Sequence, residues 1–230
     1  MKPHLRFSLK RKIMKRRIVM HIPDGILSPT ILAAGAAVSV VVLAKSVQES
    51  KKNLEQTAVP IMGVMAAFIF AAQMVNFPLL GAAASGHLIG GALAAYLFGF
   101  WPTTLIMTTV VTIQAVVFQD GGISVLGVNI LNMAIIAPLA ASVVYKLLRN
   151  SKVPVSIIVF IGGWVSVVVT ATVAALQLGA SHVVSYQLAL QTLILWHAII
   201  GVGEGLITGA VVPFARRSSF FLGGREERVR

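Results

Sequence analysis

The chain contains no cysteine, which removes disulfides and thiolate metal ligands from any account of it and leaves the redox compartment unread. Acidic residues are almost as scarce. Seven Asp and Glu stand against nineteen Lys and Arg, and charged residues make up only 11% of the 230, too few to coat a water-soluble globule. No GxxxxGK[ST] phosphate loop occurs, so the chain does not hydrolyse ATP by that route. No nucleophile beside a base, second catalytic carboxylate or metalloprotease spacing accompanies its few polar groups, which argues against an enzyme.

What is present is apolar. Hydrophobic residues account for 57% of the chain and the mean hydropathy is +0.88. The apolar stretches run ~17–25 residues, the length a helix needs to cross roughly 30 Å of hydrocarbon. The net charge of +12 and pI near 10.8 suggest a nucleic-acid binder at first sight. The basic residues lie at chain ends and short connections, however, where membrane orientation explains them better.

The expected fold is all-α, a polytopic membrane protein of seven spans: about Pro29 to Val47, Ala58 to Val75, His87 to Phe100, Thr103 to Phe118, Val128 to Leu148, Val155 to Leu178 and Leu188 to Phe214. Span three should stop at Trp101-Pro102. Before it, Asn76 to His87 is rich in small residues and contains Pro78, so irregular backbone is expected there, shielded by protein. The turn Gln119-Asp120-Gly121-Gly122 should separate spans four and five.

Residues 1–19 hold eight Lys and Arg and no acid, without the apolar core of a signal peptide. The other eleven fall on alternate connections: Lys45, Lys51 and Lys52; Lys146, Arg149 and Lys152; Arg216, Arg217, Arg225, Arg228 and Arg230. The positive-inside tendency then places the C-terminus in the cytoplasm and Met20 outside. Because the basic arm would have to cross the membrane, Met20 is expected to be the true start. The division is a basic extension over 1–19, a transmembrane metal-binding domain over 20–215 and a basic cytoplasmic tail over 216–230.

Met20-His21-Ile22-Pro23-Asp24-Gly25 carries the most chemistry. If Met20 has a free α-amine, that amine, the His21 amide nitrogen and the His21 imidazole close adjoining five- and six-membered chelate rings, which suits a planar site. Nitrogen donors in that geometry favour late first-row ions such as Ni(II) or Cu(II) over Mg(II) or Ca(II). A fourth nitrogen must come from elsewhere, and His87, ending the irregular segment, is the leading candidate. Taken singly, His21 reads as an interfacial histidine and His87 as a capping group.

The segments MHIPDGILSP, AAFIFAAQMVNFP, SGHLIGG, FQDGG and GVNILNM resemble the CbiM/NikM family of energy-coupling-factor transporters over about Met20 to Pro213. The resemblance implies seven transmembrane helices, a folded-back N-terminus, and a cobalt or nickel ion held by Met20, His21 and His87. It also implies a transmembrane coupling subunit, two ATPase subunits and often a small accessory membrane protein, in the plasma membrane of a prokaryote. No cofactor of the chain's own is expected; the ion is cargo, supplying cobalamin synthesis if it is cobalt. The extension departs from the family pattern, because a peptide nitrogen at Met20 ligates far more poorly than an amine.

Gln73, Asn76, Gln114, Asn129 and Asn132 could orient the ligating imidazoles or simply bond between helices. Glu204 and His197 share a helix face, and ionisable groups at membrane depth often mark a pathway. They support a competing reading, a proton-coupled secondary transporter of another substrate, although interhelical hydrogen bonding is the commoner use. Asp24 and Asp120, beside glycines, should stabilise turns, and His182 should be an exposed loop residue.

Overall fold

The computed structural model describes residues 18–19, 21–54, 58–75, 77–78 and 84–217. Seven helices carry most of them. The first, α1, is Pro29–Asn53; α2 is Ala58–Met74; α3 is Gly91–Phe98; α4 is Phe100–Val117. Then α5 covers Leu126–Leu148, α6 covers Val155–Ala180 and α7 covers Tyr186–Arg217. Five of these, α1 and α4 to α7, are long and apolar enough to cross a membrane.

The helix ends follow local chemistry. Pro29 occupies the first turn of α1, where its missing N–H costs nothing, and Lys51 and Lys52 in the last turn meet the negative end of the helix dipole. The expected first span stopped at Val47, yet the helix runs through the charged residues to Asn53, because lysines at a helix end can reach for water. For the same reason α7 continues past the expected Phe214 to take in Arg216 and Arg217. Most of the expected tail, residues 218–230, lies outside the described residues, as do residues 1–17.

Span three departs most from expectation. In place of a helix over about His87 to Phe100 there is the eight-residue α3, about 12 Å long, well short of a bilayer crossing. The backbone from His87 to Gly90 is not helical. The break after α3 falls at Gly99, with φ of +82°, rather than at Trp101-Pro102. Those two residues sit inside the first turn of α4, where proline is tolerated.

Ahead of α3 the chain forms a small patch of extended pairs. Ala84–Gly86 lies between Phe77–Pro78, antiparallel to it, and Ile18–Val19, parallel to it. Residues just before Met20 therefore run beside the segment that leads into His87.

Packing is dense where small residues allow it. A Cβ on Gly205 of α7 would come within 2.7 Å of the Phe160 carbonyl oxygen on α6, so the two backbones approach as closely as glycine permits. A π-helical turn, Leu131–Ile136, interrupts α5 just after Asn129. The main core packs Met107, Val110 and Val111 of α4 against Met133 and Ala134 of α5 and Ile89 of the non-helical stretch.

Candidate metal centre

The alternate connections meet at one end of the bundle. The Ser28 amide donates to Ser181 Oγ at 3.0 Å, Asp24 holds the loop after α4, and His21 meets His87. Basic groups gather at the other: Lys45 lies 5.1 Å from the Trp101 ring centre, and Arg216 bonds the Tyr145 hydroxyl and the Tyr96 carbonyl.

His21 is placed by its neighbours' backbone. The Ile22 N–H donates to Asn129 Oδ1 at 3.0 Å, and Asn129 Nδ2 donates back to the Ile22 carbonyl at 3.0 Å. That carbonyl also accepts the Gly122 N–H at 3.1 Å. Asp24 accepts from the Ser124 amide at 2.8 Å, the Ser124 hydroxyl at 2.5 Å and the Ile123 amide at 3.2 Å. The Ser124 hydroxyl, ahead of the amides, holds this carboxyl below its usual pKa. Gly121 has φ of +101°, and a Cβ there would lie 3.3 Å from the His21 Cβ, so the turn suits glycine for its angle as well as for the close approach.

Two imidazoles result, stacked with ring centres 4.8 Å apart and planes 19° from parallel. His21 is 1% exposed and His87 2%. The His87 Nδ1 lies 2.8 Å from the Leu88 carbonyl; as donor there, it leaves Nε2 with a free lone pair, and that atom has no hydrogen-bond partner. Neither ring nitrogen of His21 has one either. Asp120 Oδ1 comes within 3.6 Å of His21 Nδ1, outside hydrogen-bonding range. Burial, then the neighbouring His87, push the His21 pKa down to about 3, so its imidazole is neutral at physiological pH, the form that binds metal. Buried imidazole nitrogens left unpaired are costly in a core and suit a site that takes a cation.

A chain of side chains braces the pair. The Gln114 oxygen lies near His21 without closing a hydrogen bond. Gln114 Nε2 donates to Gln73 Oε1 at 2.8 Å, and Gln73 Nε2 donates to the Ile89 carbonyl at 2.6 Å. Glu204, 2% exposed, accepts the Ile89 N–H at 2.9 Å and the Gly90 N–H at 2.8 Å. Both sides of the Ile89 peptide are thus held, two residues beyond His87.

Of the sequence candidates, His21, His87, Gln73, Gln114 and Asn129 are brought together. Asn132 is not part of that group: it exchanges two hydrogen bonds with Gln177 on α6, at 2.7 and 2.8 Å. Met20 and Asn76 lie outside the described residues. Among the described residues no three His, Asp or Glu side chains converge as a metal-ligand group. His182 is exposed. Sequence reasoning did not anticipate Gln177 or Ser124, whose partners lie 45 and 100 residues away, and no local pattern signals either.

The family model for CbiM, the cobalt uptake substrate-specific transmembrane region, matches residues 21–220. A protein of Haloquadratum walsbyi named for metal transport is 39% identical over 197 residues, covering 85% of this chain and 89% of that one. An Archaeoglobus fulgidus protein named as a fused nickel transport protein is also 39% identical, over 85% of this chain but 65% of its own length. The chain therefore spans just under two thirds of that longer relative. Among solved structures, a truncated transition metal transporter superposes with a TM-score of 0.80 at 32% identity, over 86% of this chain and 98% of that one.

Proposed function

The chain belongs to the CbiM family of transmembrane proteins, and from that premise we propose that it is the substrate-binding component of an ATP-driven energy-coupling-factor importer for cobalt, with nickel as the alternative ion. It works as a multi-pass membrane protein of a prokaryotic plasma membrane, with seven membrane-embedded helical segments, Met20 outside and the C-terminus in the cytoplasm. A transmembrane coupling subunit and ATPase subunits supply the energy. The cobalt delivered would feed cobalamin synthesis.

The observation that carries this reading is the stacked pair His21 and His87, both buried, with three ring nitrogens lacking partners. An ion arriving at the outer end is held by the Met20 amine, the His21 amide nitrogen and imidazole, and the His87 imidazole. Ile22 and Asp24 are fixed by Asn129 and Ser124, so the first residues are already folded inward when the ion arrives. That arrangement lowers the ordering cost of binding. Movement of the complex during ATP hydrolysis then loosens the first residues and frees the ion inward.

A proton-coupled transporter built on Glu204 and His197 is the competing reading, and Glu204's two bonds to the α3 entry supply a structural role in its place. Accumulation of radiolabelled cobalt by cells carrying the chain, with and without the ATPase subunits and with a protonophore, separates the two. Uptake should need the ATPases and survive the protonophore while ATP is maintained. Uptake without ATPases that collapses with the proton gradient would refute the ATP-driven importer and favour proton coupling.

A further inference from the structure

His197 lies on α7, 2% exposed, within electrostatic reach of His87. Its Nδ1 is 2.7 Å from the Leu193 carbonyl one turn earlier. With Nδ1 as the donor, Nε2 carries a free lone pair, and it too is buried without a partner. This is the arrangement found in His87, whose Nδ1 faces the Leu88 carbonyl. A backbone carbonyl on one ring nitrogen fixes the tautomer and orientation of a histidine that ligates through the other. The proposed resting ligands do not include His197.

The position fits a need of transport. An ion released from four nitrogens directly into the protein interior would lose its ligands in a low-dielectric medium, at a cost far above thermal energy. A waiting donor removes that step. Seven residues along α7, about 10 Å of helix, Glu204 grips Ile89 and Gly90, so the helix that carries His197 also holds the segment that carries His87.

We propose that His197 is an inner metal station, taking the ion together with His87 after the N-terminal ligands have let go. In that exchange the bonds to the Met20 amine, the His21 amide and the His21 imidazole break, the amide nitrogen takes back from water at the outer end the proton it lost there on binding, the bond to His87 is kept, and a bond to His197 Nε2 forms. The ion keeps its charge throughout. The proposal rests on the metal-binding reading of His21 and His87.

The test uses protein beginning at Met20 with a free amine, purified from membranes and titrated with Ni(II), beside cellular uptake of the same ion; this form serves as wild type. Wild type should bind tightly, and His197→Ala should leave that affinity within about threefold because the resting ligands are intact. His21→Ala should retain weak binding, and adding His197→Ala should weaken it at least tenfold further. Uptake should fall at least tenfold in both His197→Ala and His197→Gln. The glutamine variant keeps a polar group in place and carries the test if alanine impairs folding, as a melting curve would reveal. Unchanged uptake in His197→Gln, or equal binding in His21→Ala and the double variant, would overturn the inner station and leave the resting site standing. Absence of Ni(II) binding in wild type would instead remove the metal-binding reading itself.

Discussion

Asn129 is the side chain on which the geometry of the site most depends. It returns two hydrogen bonds to the Ile22 backbone, each at 3.0 Å, and it is buried. Asn129→Ala removes both. The Ile22 carbonyl keeps the Gly122 N–H, while the Ile22 N–H loses its partner in a buried setting. A lost hydrogen bond of this kind is worth about 1 kcal/mol net, and a buried donor left unpaired about 1–3 kcal/mol. Docking of the first residues should therefore weaken by about 2–4 kcal/mol. Each 1.4 kcal/mol is tenfold, so Ni(II) or Co(II) affinity should fall by roughly 30- to 700-fold, with no metal ligand touched. Calorimetric titration of the purified protein measures it. An Asn129→Ala protein that folds and binds metal within threefold of wild type would refute the claim that this amide positions His21.

Three further outcomes follow from the same structure. Glu204→Leu leaves the Ile89 and Gly90 N–H groups buried and unpaired, at about 1–3 kcal/mol each; denaturant unfolding should show that loss, and Glu204→Gln should recover part of it by restoring one acceptor. Because His21 titrates near 3 when folded against 6.5 when unfolded, the unfolded chain takes up a proton that the folded one refuses as pH drops below about 6.5. Metal-free protein should thus lose about 2 kcal/mol between pH 7.5 and 5 through this group, and a lower melting temperature at pH 5 whose deficit shrinks in His21→Ala checks it. Gly205→Ala sets a Cβ 2.7 Å from the Phe160 carbonyl oxygen, forces α6 and α7 apart and should cost about 1–3 kcal/mol, read as an earlier unfolding midpoint.

The long helices were legible because hydropathy and run length are what a bilayer selects. Alpha-helical ends were less so, since Lys51, Lys52, Arg216 and Arg217 remain helical while reaching for water. Span three escaped for a physical reason: a buried irregular segment shielded by protein is as apolar as a helix, so composition alone cannot separate His87 to Gly90 from α3. Pro102 misled because a proline that ends one helix can equally open the next. At the site, chelate chemistry singled out His21. Its meeting with His87 depends on contacts across 66 residues that no local spacing encodes. Asn129, one of the amides that could orient an imidazole or bond between helices, grips the Ile22 backbone beside His21, while Asn132 spends its amide on Gln177. Both are polar residues on one helix, and only the packing of α5 against its neighbours distinguishes them.

The most direct test of the account is a Co(II) and Ni(II) titration of protein beginning at Met20 with a free amine, beside the 230-residue form, His21→Ala and His87→Ala. Tight binding of one ion confined to the form with the free amine and both histidines is the predicted result. Equal binding, or none, in all four proteins would contradict a metal site built on Met20, His21 and His87.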